Sequence, residues 1–235
     1  HGEIWATTIK EVLLKNDLIN RPIHIISANM HSVMNSIFAK QTFGTKYKGK
    51  DAFALFEDLS KSGANEIRDK VQKVAEQQGM IAIPDQSGTN IDVQIFDTAK
   101  IDFLKTDFSK ATFEEQKPVL IVMDYAVGEQ AYETIDELLK PFKSEKDKFF
   151  LNVESVSIMG KAGILEGSKG DIMIPNAHVN EGTADNYPFE NQLTKEQFEG
   201  FGIDVYAGPM VTVLGTSLQN KDLLKFLHES TWAVI

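Results

Sequence analysis

The segment KPVLIVMDYAVGEQAYETIDELLKPF, residues 117–142, decides the fold class. VLIVM (119–123) is an unbroken apolar run of strand length, the pattern of a strand covered on both faces in a parallel sheet. A polar, glycine-bearing turn follows at Asp124–Gly128. A helix then begins, with Ala131, Ile135, Leu138 and Leu139 sharing one face, and Pro141 closes it because its ring cannot continue the helix. Strand, turn and helix make half of a parallel crossover unit, and the rest of the chain repeats that alternation.

Upstream, a helix is expected over residues 3–18, with Ile4, Ile9, Val12, Leu13 and Leu14 at near-helical spacing. PIHIISANM (22–30) reads as a buried strand, HSVMNSIFAK (31–40) as a helix capped by the Asn29–Ser32 turn, and QTFGTKYKGK (41–50) as a loop. Residues 51–78 read as two helices separated at Ser62–Gly63. MIAIP (80–84) and the alternating IDVQIF (91–96) read as strands, and 97–116 as a surface connection. Downstream, ESVSIMG (154–160) and GDIMIPNAHV (170–179) are two further strands. IDVYAGPMVTVLGT (203–216) supplies one or two more, QNKDLLKFLHEST (219–231) is a helix, and WAVI (232–235) starts another strand. Strands alternating with helices indicate an α/β protein. Strands 119–123, 155–159 and 171–175 are expected in one central sheet, with their carboxyl ends at one cleft.

The chain has 235 residues, 42% of them hydrophobic, enough for one large domain or two small ones. No run approaches the roughly 18 apolar residues of a membrane-spanning helix, and no basic segment precedes an apolar one at the start. With no cysteine, disulfides, thiolate metal sites and cysteine nucleophiles are excluded, which fits a cytoplasmic protein. There are 24 Lys and Arg against 34 Asp and Glu, a formal charge of −10. An acidic chain without a basic cluster cannot displace the counterions of a nucleic-acid backbone, so neither nucleic acid nor membrane is an expected partner. His24 and His31 are separated by a strand and a turn and do not suggest a metal pair. His24 and His228, on a strand and on the last helix, read as structural.

Four motifs, in order, resemble the nucleoside phosphorylase and nucleosidase superfamily. VLIVMDYAVGEQ (119–130) is placed like that family's first strand and its Gly- or Glu-bearing loop. SIMGKAGIL (157–165) with GSKGDIMIP (167–175) is similar to its Gly-x-x-Gly turn, spacer and Gly-Asp before an apolar strand. EGTADNY (181–187) is similar to the Glu-Gly-Thr turn of purine-type members. GPMVTVLGTSLQNKDLLKFL (208–227) is similar to its Thr-Val strand, Thr or Ser turn and helix. The resemblance covers residues 117–235 and implies a phosphorylase-like mixed central sheet flanked by helices. Residues 1–116 would be an additional α/β part of unknown role. The implied activity is cleavage or ribosyl transfer at the N-glycosidic bond of a nucleoside or nucleotide. No cofactor is implied beyond phosphate as a possible co-substrate, and a homo-oligomer is expected.

The resemblance also nominates residues, each with a plainer structural alternative. Glu129 is the candidate general acid or base, or a carboxylate serving the helix dipole. Gly128, Gly160, Ala162 and Gly163 let backbone approach a ligand, or simply form turns. Lys161 neutralises a phosphate, or is an exposed turn lysine. Glu181 and Thr183 offer a carboxylate and a hydroxyl to a sugar, and Tyr187 a ring to a base, or the turn satisfies only its own backbone. His178 is the one histidine beside these motifs. Thr212, Thr216 and Ser217 bind an anion at a helix start, or serve as ordinary N-caps.

Several departures accompany the resemblance. The phosphate-binding Arg of many phosphorylases is missing from the first loop, and Lys161 stands where the family carries a small or hydroxylated residue. The family's Met-Glu pair, which binds the ribose hydroxyls, and its purine-binding Asp would follow Ile235. Residues 1–235 are therefore expected to be an internal portion of a longer protein that by itself holds a nucleoside weakly. A catalytically degenerate nucleoside-binding or regulatory module is the competing expectation. A dinucleotide-binding oxidoreductase ranks last, since no Gly-x-Gly-x-x-Gly follows a strand.

Overall fold

In the computed structural model the apolar run Val119–Met123 pairs in parallel with a second, mainly apolar run, Pro22–Ser27, which pairs in parallel on its other side with Asn152–Ile158. The structure describes residues 1–44, 46, 52–108, 117–144, 147–163, 165–183, 185–213 and 220–229. They belong to two compact units, His1–Gly160 and Lys161–Ile235. The first unit runs α1 (Gly2–Lys15), β1 (Pro22–Ser27), α2 (Met30–Phe43), α3 (Ala52–Ser60), α4 (Asn65–Gln77), β2 (Met80–Ile83), β3 (Val93–Asp97), β4 (Val119–Met123), α5 (Gly128–Leu139), β5 (Phe142–Lys143), β6 (Lys148–Phe149) and β7 (Asn152–Ile158). The second contains β8 (Ile172–Asn180), β9 (Asp185–Pro188), β10 (Val205–Thr212) and α6 (Lys221–Glu229). Among the described residues no helix is long and apolar enough to cross a membrane.

The α/β expectation holds in both units. The first has a five-stranded mixed sheet in the order β2-β3-β4-β1-β7, in which β3 is antiparallel to both of its neighbours. Alternation along β4 explains why VLIVM contains no polar residue. Val119, Ile121 and Met123 join Ile23, Ile25, Trp5, Ile9, Leu13 and Leu138 in a core beneath α1 and α5. Val122 faces the other way, into a core with Phe96, Met34, Phe38, Leu55, Leu59, Val71 and Ala75 beneath α2, α3 and α4. Both faces are dry, so both must be apolar. Phe38 and Phe96, fully buried, stack with ring centroids 6.1 Å apart.

Polar groups fasten the edges of this unit. Lys10, almost fully buried, donates from Nζ to the carbonyls of Glu137 and Lys140 at 2.7 Å each, which ties α1 to the last turn of α5. Arg21 reaches the Asp97 carboxylate at 2.7 Å and the carbonyls of Lys117 and Pro118, joining the entrances of β1 and β4 to the end of β3. The turn Asp85–Asn90 is built around one carboxylate. Asp85 Oδ1 accepts from the amide and hydroxyl of Ser87, and Oδ2 from the amides of Gly88 and Asn90, at 2.6–3.1 Å. Thr89 of that turn presents its carbonyl to the Gln130 side chain in the first turn of α5. The Asp85 cage therefore steadies the start of α5.

Two expectations are corrected. Strands 119–123 and 155–159 do share a sheet, as β4 and β7, but β1 lies between them and residues 172–175 belong instead to β8. In the second unit β8 pairs in parallel with β10 and antiparallel with β9, a separate three-stranded sheet. The division expected at 116/117 would separate β3 from β4, which are hydrogen-bonded neighbours; the compact units meet at Gly160–Lys161. At smaller scale, α2 runs on to Phe43, EGTADNY is half turn and half strand, and the short β5–β6 hairpin has too little apolar pattern to be seen in sequence.

Replacing Phe96 by Ala opens a cavity under α2 and should lower the unfolding free energy by about 3–5 kcal/mol, read from urea denaturation; a loss below about 1 kcal/mol would show that the two-faced core is not built as described. Burial raises the Asp85 pKa, but the Ser87 hydroxyl and the surrounding amides outweigh it and lower it to about 2. Since this lies below the unfolded carboxyl value of about 3.9, the contribution of Asp85 to stability is complete above the unfolded value and is lost as pH falls through the folded one. Carbon-13 titration should place the midpoint near 2, and an ordinary carboxyl midpoint would mean the cage does not form in solution.

Candidate functional site

The carboxyl ends of β4, β1 and β7 lie side by side in the first unit. Ala28 donates to the Met123 carbonyl at 3.1 Å, Met159 to the Ser27 carbonyl at 2.9 Å, and Asp124 to the Asp92 carbonyl at 3.0 Å. The chain leaves β1 toward α2 on one face and leaves β4 toward α5 on the other. Adjacent parallel strands whose connections diverge in this way open a crevice at the switch point, where open α/β sheets take ligands. Asn29 caps α2 by accepting from the Ser32 amide at 3.3 Å, whereas Val127 offers α5 no side-chain cap. Gly128 opens α5 with φ of 58°, in the left-handed region that glycine tolerates best. Glu129 is exposed in the first turn, where its charge complements the helix dipole whatever else it does.

The second unit brings more of the expected residues together. Because β8 and β9 are antiparallel with His178 opposite Tyr187, the two side chains stand on the same sheet face. On the other side of β8, His178 Nε2 lies 2.6 Å from Thr212 Oγ1 on β10. Thr212, His178 and Tyr187 thus form a row across all three strands. At the end of this row the chain turns through Glu181, Gly182 and Thr183. The Glu181 amide donates to the Thr212 carbonyl at 3.0 Å, Gly182 to Asn180 Oδ1 at 3.1 Å, and Thr183 to the Asn180 carbonyl at 3.3 Å. Tyr187 is 59% exposed, and its hydroxyl donates to Asp185 at 3.2 Å. The Asp185 charge, helped by that hydrogen bond, pushes the phenol pKa up, so the ring stays neutral and available for stacking. An imidazole and a phenol side by side on an open sheet, with a carboxylate and a hydroxyl at the adjacent turn, can hold a flat aromatic group and a polyhydroxylated one together.

Other expected residues are not built into a site. Gly160 ends the first unit, while Lys161, Ala162 and Gly163 open the second in irregular, exposed backbone. A β-carbon at Gly160 or Gly163 would meet open space, and neither glycine has a positive φ, so no close backbone approach accounts for them. The left-handed backbone in this stretch falls at Gly167 and Gly170, with φ of 99° and 108°, the second in the turn where Asp171 accepts from the Ser168 amide at 2.6 Å. Thr216 and Ser217 lie outside the described residues. His24 is structural: its Nδ1 meets Ser155 Oγ at 2.7 Å across β1 and β7. A hollow of the second unit, about 690 Å³ and open to solvent, is lined by Lys195, Glu199, Asp204 and Tyr206. It lies at the opposite end of β10 from Thr212. Among the described residues no group of three or more His, Cys, Asp or Glu could hold a metal ion.

Asp185–Pro188 is a strand where the sequence suggests that the EGTADNY turn runs on to Tyr187. That His178 and Tyr187 share a face depends on the register of the β8–β9 pair, and the neighbour relation of β8 and β10, formed between strands about 30 residues apart, is likewise written in no local pattern.

No curated protein and no solved structure matches the chain. A family model does, over residues 53–235, from within α3 through the whole second unit. That span includes β4, the crevice side of α5 and the complete row on the second sheet. The match extends over more than half of the sequence, and the chain therefore belongs to that family, a family of unknown function designated DUF6909.

Proposed function

We propose that the protein binds a nucleoside or nucleotide and cleaves, or transfers from, its N-glycosidic bond. The observation that carries this reading is the row Thr212–His178–Tyr187 beside the Glu181–Thr183 turn. In it the base lies against Tyr187 and His178, and the ribose hydroxyls meet the Glu181 carboxylate and the Thr183 hydroxyl. The motif resemblance to nucleoside phosphorylases supports the same reading, because two of its strands, GDIMIPNAHV and GPMVTV, are neighbours here as a shared ligand face requires. A phosphorylase-like fold is part of the proposal.

The chemistry follows from the bond. As the C1′–N bond lengthens, the sugar becomes oxocarbenium-like and the base departs with the bonding electrons. A hydrogen-bond donor facing the base stabilises that charge and supplies its proton. Phosphate or water then attacks C1′, giving ribose 1-phosphate or free ribose together with the free base. Lys161 is the candidate phosphate-binding cation.

Incubation of the full protein with adenosine, inosine, uridine and their 5′-monophosphates, with and without phosphate, should release free base, measured by chromatography. Tyr187→Ala should weaken nucleoside binding by about 1–3 kcal/mol, roughly 5- to 150-fold, the worth of one stacked base. Base release from none of the substrates would overturn the enzyme; micromolar binding without release would leave a nucleoside-binding module.

A further inference from the structure

We propose that Thr212 is the positioning residue of the β8–β9–β10 face, setting the His178 ring through its hydroxyl and the Glu181–Thr183 turn through its carbonyl; the assignment rests on reading that face as a nucleoside site. One residue makes both contacts, 2.6 Å to His178 Nε2 and 3.0 Å from the Glu181 amide. It thereby links two residues of the proposed site, His178 and Glu181, while standing at the end of a different strand.

The pairing of β8 with β10 shows how Thr212 comes to that place. From Val205 opposite Ile172 to Gly208 opposite Pro175 the register is regular. It then shifts, so that Pro209 faces Ala177 and Asn176 is left without a partner. Without that extra residue in β8, Val211 would stand opposite His178, and Thr212 opposite Val179, whose side chain is buried. With it, Met210 stands opposite His178 and Thr212 opposite Asn180, so the hydroxyl lies on the imidazole side of the sheet. Bulges that re-aim a side chain in this way concentrate at functional sites. The contact occupies Nε2 and leaves Nδ1 as the ring nitrogen turned to a ligand. It also stops the ring rotating away from Tyr187. The role is indirect, since Thr212 acts through His178 and through the turn.

Thr212→Val keeps the β-branched shape and the carbonyl and removes only the hydroxyl; Thr212→Ser restores the hydroxyl. In nitrogen-15 spectra of the ligand-free full protein, the His178 Nε2 signal should move in T212V and return to the wild-type position in T212S. Adenosine affinity, measured by calorimetry, should fall about 5-fold in T212V, the effect of one hydrogen bond, and recover in T212S. In a His178→Ala background the T212V change should have no further effect on affinity. An unchanged Nε2 signal in T212V would overturn the assignment. So would an equal affinity loss with and without His178, or a loss that follows a lowered unfolding midpoint and is not rescued by serine. If wild-type protein fails to bind adenosine, the nucleoside reading falls, and the nitrogen-15 arm still decides whether Thr212 sets the His178 ring.

Discussion

The parallel pairing of β1 with β4 is the constraint on which the first unit depends. β4 is bonded on both edges and carries only apolar side chains, so the elements above and below it must supply apolar surface. α1 and α5 do so on one side, and α2, α3 and α4 on the other. That division of helices forces the connections after β1 and β4 to opposite faces, and the crevice between their ends follows from it. The polar fastenings, Arg21–Asp97 at one end of the strands and the Asp85 cage at the other, hold the loops that the sheet leaves exposed.

In the second unit the corresponding constraint is the extra residue in β8. A three-stranded sheet has few registers, and each one-residue shift exchanges the faces of a strand. The bulge at Asn176 lets Ile174, Ala177 and Val179 all be buried while His178 shares its face with Thr212 and Tyr187. Packing and site are thus met by a single irregularity, and the row of imidazole, hydroxyl and phenol is the outcome.

The glycines show how residue type alone misleads. Gly160 and Gly163 are a spaced pair in the sequence, yet neither has a positive φ and a β-carbon at either would meet open space. Gly128 and Gly170, with φ of 58° and 108°, are among the positions where the backbone does enter the left-handed region. Sequence spacing cannot distinguish these cases, because the requirement lies in a dihedral angle set by the elements on either side. Glu129 is similar: its position in a first helical turn was visible in sequence, and the exposure that suits it to the helix dipole as well as to chemistry was not.

Local physics determined much of this protein from its sequence. The apolar runs at 22–27 and 119–123, the amphipathic spacing of α4 and α5, and the turns between them are short-range signals, and they placed the α/β class and most elements. The grouping of Glu181, Thr183 and Tyr187 was legible for the same reason, since they lie within seven residues of chain. Tertiary structure alone decided which strands became neighbours. Inserting β1 between β4 and β7, and β8 between β9 and β10, depends on contacts between segments tens of residues apart, which no local pattern encodes. The same holds for the link from Thr212 to His178, made by strands adjacent only after folding and aligned only because one residue of β8 bulges out of register.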